Sequence, residues 1–421
     1  MSIKLKALFF LLVFASSSAN LVYPAQVESL ERDRARHMLN RIAYGPRPQD
    51  IDRVLQFGID KYIEQQLDPQ SIPEPEALKK IVADSPALTR TPAQLFLQYG
   101  RQAVMAANGM PKRRGKTKAG TPAPAFSKET IKEREELQKQ MRENSKLMYK
   151  QVTEARLMRA VYSPRQLEEV MTDFWFNHFN VSFDKGLDRL WIGAYEQTAI
   201  RPYALSKFND LLLATSHHAA MLFYLDNWQN TSDSASKRGR FAGLNENYAR
   251  ELMELHTMGV DGGYTQKDVV ALARILTGHG LQSRQSLLRT GVGAESRSGY
   301  YFDARRHDFS DKVFLGRTIK GEGEKEIQKA LAILARHPAT ARHISFKLAQ
   351  YFVADNPPEA LVERLATSYK QSDGDIKAML RVILKSEQFW DSKNTGGKYK
   401  TPYRYLISSL RATNASISRS T

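Results

Sequence analysis

Three short stretches carry residue types that could do chemistry. In Asn245 to Gly280, a 3.6-residue period puts Asn247, Arg250, Glu251 and Glu254 on one helical stripe. Glu251 and Glu254 then stand one turn apart, close enough to reach one cation. The second stretch, Asp173 to Asn180, sets His178 among Phe174, Trp175, Phe176 and Phe179. The third is His307-Asp308, at the bend of an aromatic-rich segment. Taken together, His178, Glu251, Glu254 and His307 form an oxygen and imidazole ligand set suited to a divalent metal: zinc, manganese or iron. Such a metal makes a nucleophilic water near neutral pH, with Glu251, Glu254 and Asp308 as the catalytic carboxylates. Asp308 would orient an imidazole or act as base. The expectation is that the three segments converge, although no spacing equals a strong signature such as His-Glu-x-x-His.

Each residue also has a structural explanation. A charged stripe is ordinarily solvated, with Arg250 pairing Glu251 or Glu254. Held inside, the same Arg and Glu side chains and the stretch's two histidines would instead form a mutually satisfied network in a non-enzymatic scaffold or binding protein. Glu251 and Glu254 with Asp308 also resemble the carboxylates of glycoside cleavage, but those come from opposite sides of a substrate rather than from one helix turn. A buried His178 would ordinarily be a hydrogen-bonded core residue, and His307-Asp308 an Asx-type turn. His217 and His218 are adjacent on a helix and point in different directions, so at most one faces any site.

The elements that must position these residues are helices. Asn245 caps one that stops at Gly259, and Thr265 caps the next, with Asp268 in its first turn and Val269, Val270, Leu272, Ala273 and Leu276 at helical spacing. Four aromatic residues in six positions cannot all face water, so the helix from Arg165 to Phe179 is nearly surrounded by protein. Lys128 to Arg159 reads as one long helix, and Ile192 to Ala214 as a helix broken at Arg201-Pro202. The aromatic and β-branched residues of Tyr300 to Gly316 predict a short two-stranded ribbon with His307 and Asp308 at its bend. Leu30 to Gln102 is helical with nothing catalytic, and Glu324 to Arg411 is a bundle-like ending with no site of its own. The expected fold is all-α: one large multi-helix domain over 28–411 with a minor two-stranded β ribbon.

Composition narrows the chemistry. The 421 residues include no cysteine, which excludes disulfides, thiolate nucleophiles and Cys-ligated metals. Lys4 and Lys6 precede the apolar run Ala7 to Ala15 and the small residues Ser17-Ser18-Ala19, predicting a signal peptide over 1–19 and an exported, periplasmic or extracellular protein. No segment approaches the about 18 apolar residues of a membrane span. The net charge is +17, or +15 once the two leader lysines are removed. That field favours polyanions, and for an exported chain these are acidic polysaccharide or similar envelope polymers; no nucleic-acid signature is present. Residues 108–127, with Lys112, Arg113, Arg114, Lys116 and Lys118, predict a mobile basic insertion, either a solvated loop or an electrostatic tether.

The blocks Asp173 to Phe179, Asn245 to Gly278, His307-Asp308 with Lys312 and Leu315-Gly316, and His337-Pro338 with Lys347-Leu348, in that order, resemble the bacterial family called domain of unknown function 1800. The likeness begins at His37 to Arg41 and Gly45 and covers nearly the whole chain. It implies an exported, mostly helical protein, frequently encoded beside an exported protein related to alkaline phosphatase and sulfatase; no reaction comes with it. Many members have Phe in place of His256 and Trp in place of His279, which removes both from a shared site. The basic segment around Lys112 looks like an insertion. Members usually continue past the helix ending at Arg411, so 412–421 is expected to be a disordered tail of a chain truncated relative to the family.

Overall fold

The structure, a computed structural model, describes residues 24–100, 128–236, 241, 243–282, 287 and 298–418. The expected leader and the basic insertion lie outside the described residues. In chain order the helices that frame the functional argument are α1 (Pro24–Ile42), α2 (Lys128–Tyr162), α3 (Gln166–His178), α4 (Asp188–Tyr195) and α5 (Phe208–Ser216). They are followed by α6 (Asn247–Glu254), α7 (Gln266–Ile275), α8 (Glu324–Ala335), α9 (Pro338–Phe352), α10 (Glu359–Gln371), α11 (Ile376–Leu384) and α12 (Pro402–Ala412). The fold class is as the periodicity indicates, all-α with minor β structure. Among the described residues no helix is long and apolar enough to cross a membrane.

Packing centres on α3, as its aromatic composition requires. Phe174, Trp175, Phe176 and Phe179 are all buried. The Trp175 ring lies 5.8 Å from that of Phe208 on α5, and Phe208 lies 6.1 Å from Tyr369 on α10. The indole N–H of Trp175 donates to the Ala204 carbonyl at 3.0 Å, so the largest side chain of the core keeps its one polar group satisfied. Around this centre α9 packs on α10 and α10 on α11, while α2 runs against α3, α4 and α12.

The chain turns sharply between α4 and α5. Glu196–Ile200 forms a π turn and Arg201–Tyr203 a 3-10 turn, at the Arg201-Pro202 break that the sequence marks. A π turn inserts one residue into the helical ladder and rotates the residues beyond it. Here it brings Glu196 and Arg201 to the same buried place.

Two expectations about local structure are corrected. Tyr300–Phe302 and Lys312–Phe314 do not pair with each other. Tyr300–Phe302 pairs antiparallel with His279–Leu281, and Lys312–Phe314 makes a hairpin with Arg317–Ile319. Leu315 (φ 47°) and Gly316 (φ 71°) supply the two positive φ values of that tight turn. Among the described residues there are thus two small sheets rather than one ribbon. The first helix of the Asn245 to Gly280 stretch also ends at Glu254 rather than Gly259, because the N–H groups of His256 and Met258 bond five residues back, to Glu251 and Met253. The second helix begins as expected: Thr265 and Asp268 form a capping box, and Asp268 also accepts from the Leu315 N–H at 2.9 Å.

Candidate functional site

The sequence-derived site residues fall in three different settings. His307 is buried, with Nδ1 2.8 Å from the Thr277 carbonyl and Nε2 3.0 Å from Glu326 Oε1. The other Glu326 oxygen accepts from Lys312 Nζ at 2.6 Å. The carboxylate that meets His307 is therefore Glu326 on α8, not Glu251 or Glu254. Burial raises the Glu326 pKa, but the His307 and Lys312 hydrogen bonds outweigh it and hold the group ionised. Asp308 accepts from the Ser310 N–H at 2.9 Å and the Ser310 hydroxyl at 2.6 Å, which is the Asx-type turn.

Glu251 and Glu254 are half-buried neighbours on α6. Burial and the nearby Glu254 charge raise the Glu251 pKa, while Glu254 accepts from the Tyr264 hydroxyl at 3.4 Å. Arg250 pairs with neither. It bonds Glu246 at 3.1 Å and Gln266 at 2.9 Å, toward solvent, so the expected Arg250 network does not form.

His178 packs against three aromatic rings of its own helix and its C-terminal end, and Nε2 sits 3.0 Å from the His256 carbonyl. Its ring lies 6.2 Å from that of His256 and 6.3 Å from that of His343, so the residues it meets are histidines rather than the glutamates of α6. Among the described residues there is no group of three or more His, Cys, Asp or Glu side chains arranged to hold a metal. Burial lowers the pKa of His178 to about 4, and those of His256 and His218 to about 3. Each imidazole is neutral in the folded chain and titrates near 6.5 in the unfolded one. The contribution of these imidazoles is thus intact above pH 6.5 and is lost as pH falls from 6.5 towards 4, by about 1.4 kcal/mol per group per pH unit. His256→Phe fills the same aromatic slot against Phe179, 5.1 Å away, without a titrating ring. The variant is expected to lose less stability than the parent between pH 6.5 and 4.5 in urea titrations; equal losses would contradict this reading.

A buried ionic network occupies the space between α2, α3 and the π turn, and sequence reasoning missed it. Arg201 grips Glu169 with both terminal nitrogens, at 2.6 and 3.0 Å, and reaches Glu196 at 3.1 Å. Arg156 bridges Glu196 at 3.1 Å and Asp173 at 3.0 Å. Burial alone would raise the Glu196 pKa and lower those of the arginines. The opposite charges prevail, holding Glu196 down and pushing Arg156 and Arg201 up. Tyr44 and Tyr403 line the same small space, and the Arg404 guanidinium lies 5.6 Å from the Tyr44 ring centre.

Arg404 faces a second and much larger space. A cleft of about 1080 Å³ opens between α1, the end of α9 and the segment 390–401 leading into α12. Its walls carry Arg34, Arg36, Arg41, Lys398, Lys400 and Arg404 against two carboxylates, Asp33 and Asp355. Asp33 takes Arg36 at 2.6 Å and Asp355 takes Lys398. Arg34 pairs at 3.0 Å with Glu31, one turn back on α1. The other three cations bond to neutral oxygens. Arg41 donates to the Asn394 carbonyl, Lys400 to Asn40 at 2.9 Å, and Arg404 to the Tyr351 hydroxyl at 2.6 Å. Burial lowers the Arg41 pKa to about 10, and the charge of Arg404 contributes to that fall. Burial and then Arg404 likewise lower Lys400, and burial and then Arg41 lower His37. The positive charge of Arg404 thus disfavours the charged forms of both Arg41 and Lys400. Trp390 and Tyr399 add aromatic surface, with the Arg34 guanidinium 4.7 Å over the Trp390 ring.

Fold and cleft together define a predominantly helical protein with a cation-lined groove. The family described as "Protein of unknown function (DUF1800)" matches residues 37–421, and the chain belongs to it. No curated protein and no solved structure matches the chain.

Proposed function

We propose that this chain is an exported binding protein for an anionic polymer, an acidic polysaccharide of the envelope or its surroundings, held in the cleft between α1 and the 390–404 segment. The observation that carries the reading is the excess of cations along one groove that also offers Trp390 and Tyr399: three of the six pair with Glu31, Asp33 and Asp355, while Arg41, Lys400 and Arg404 bond to neutral oxygens. Spaced guanidinium and ammonium groups suit repeated anionic groups, and the two rings suit the apolar faces of sugars. Isothermal titration with polygalacturonate is expected to show binding that weakens steeply as salt rises, with no binding of neutral dextran. Binding that ignores salt, or equal affinity for dextran, would refute the proposal.

A metal-dependent hydrolase built on Glu251 and Glu254 is the second reading. It is favoured by the placement of Glu251 and Glu254 one turn apart and half-buried on α6, where burial and then the Glu254 charge raise the Glu251 pKa. It draws less support, because His307 is engaged by Thr277 and Glu326, and His178 by the His256 carbonyl.

A further inference from the structure

The cleft wall holds a lysine in an unusual setting. Lys398, two residues earlier, pairs with the carboxylate of Asp355. Lys400 instead places Nζ 2.6 Å from Ser408 Oγ and 2.9 Å from Asn40 Oδ1, and the neighbouring charge that perturbs it is the guanidinium of Arg404. An ammonium half-buried beside another cation is favoured to shed its proton. As an ammonium Lys400 donates to both Asn40 Oδ1 and Ser408 Oγ; once it sheds a proton, the lone pair is placed to accept the Ser408 hydroxyl proton. The Gly45 backbone lies close against the hydroxyl. A Cβ on Gly45, where φ is +102°, would stand 2.8 Å from Ser408 Oγ, so only glycine allows this approach.

We propose that Ser408 and Lys400 form a nucleophile and general-base pair that removes O-acyl groups from the bound chain. Ser408 Oγ attacks the ester carbonyl while its proton passes to Lys400 Nζ. Lys400 returns that proton to the departing alkoxide, leaving an acyl ester on Ser408 and a free hydroxyl on the substrate. Water, deprotonated by Lys400, then attacks the acyl-serine; Lys400 returns the proton to the departing Ser408 Oγ and the carboxylic acid is released, so one ester and one water become one alcohol and one acid. Arg404 supplies positive charge beside the developing oxyanion. The substrate class, an acylated anionic polymer, rests on the polymer-binding reading; the reactivity of the pair does not.

The test uses small probes that need no polymer. The full chain is incubated with p-nitrophenyl acetate or phenylmethylsulfonyl fluoride, and the adduct is mapped by peptide mass spectrometry. The expected adduct is on Ser408, absent in Ser408→Ala. Its rate is expected to rise with pH to a plateau whose midpoint lies below that of free lysine. Lys400→Arg preserves the cation but supplies no base, and is expected to slow labelling about 100-fold or more. Thermal melts confirm that each variant is folded. No adduct on Ser408 of the unaltered protein, or an adduct forming equally fast in Lys400→Arg, would overturn the pair. Polygalacturonate binding by the unaltered protein is measured alongside. Labelling without polymer binding would overturn only the substrate assignment, and polymer binding without labelling would overturn only the pair.

Discussion

Replacing Arg201 by Met is expected to destabilise the chain by about 3–5 kcal/mol, the range for breaking a buried ion pair by removing one partner. The side chain retains its bulk, so the effect is electrostatic. Glu169 loses a bidentate partner and Glu196 one of its two arginines, in a place where both carboxylates are buried. Arg156 compensates only in part, because it is already shared between Glu196 and Asp173. The measurement is urea unfolding at pH 7 for the parent, Arg201→Met and the double variant with Glu169→Gln. The double variant should recover part of the loss, since it removes the stranded charge. A single-variant effect below about 1 kcal/mol would mean that the network is solvated.

Asp188 works in the opposite direction. It is fully buried at the first turn of α4, and among the described residues neither carboxyl oxygen has a hydrogen-bond partner. Burial pushes its pKa up to about 8; the nearby Lys185 lowers it and Asp226 raises it further. A carboxyl that binds a proton in the folded chain but releases it near 3.8 in the unfolded chain disfavours folding at all pH values above about 4. The penalty grows as pH rises towards 8 and amounts to about 4 kcal/mol at pH 7. Asp188→Asn keeps the shape of the protonated acid and removes the titration. We expect it to stabilise the protein by about 2–4 kcal/mol at pH 7 and by almost nothing at pH 4. A stabilisation independent of pH, or a loss at pH 7, would show that the carboxylate is ionised and satisfied. The buried imidazoles have the opposite slope below pH 6.5, so the two effects separate when the variant is compared with His256→Phe.

The fold was legible where composition leaves no choice. Four aromatic residues within six positions force α3 into the interior whatever surrounds it, and Thr265 with Asp268 writes a helix start into four residues. Strands of three residues are different. The pairing of Tyr300–Phe302 with His279–Leu281 depends on how the intervening chain returns, and a local pattern does not specify that. The ionic network was hidden for a similar reason. Glu169 and Arg201 stand 32 positions apart, one on α3 and the other beyond α4 at a break that the sequence marks only by Pro202. The π turn that joins them has no sequence signature.

The candidate site was legible in kind but not in place. Net charge pointed to a polyanion, yet the densest basic run, Lys112 to Lys118, drew attention away from the two chain ends. Arg34, Arg36 and Arg41 follow ordinary spacing on an amphipathic helix, and Lys398, Lys400 and Arg404 lie in a far-distant segment that reads as plain bundle. Only their juxtaposition makes a groove. The polar stripe of α6 had the converse fate, since Arg250 turns to Glu246 and Gln266 and leaves Glu251 and Glu254 without it.

The most direct measurement of the central claim compares two alterations in one polygalacturonate titration at low salt. The first replaces Arg34, Arg36 and Lys398 by Ser, removing three exposed or partly exposed cleft charges while sparing Arg41, Lys400 and Arg404. The second deletes Lys112 to Lys118. At up to about 1 kcal/mol per charged contact, the triple variant should bind about 100-fold more weakly and with a shallower salt dependence. The deletion should bind nearly as tightly as the parent. If the deletion abolishes binding and the cleft variant retains it, the polymer is held by the basic segment and the cleft is not its site.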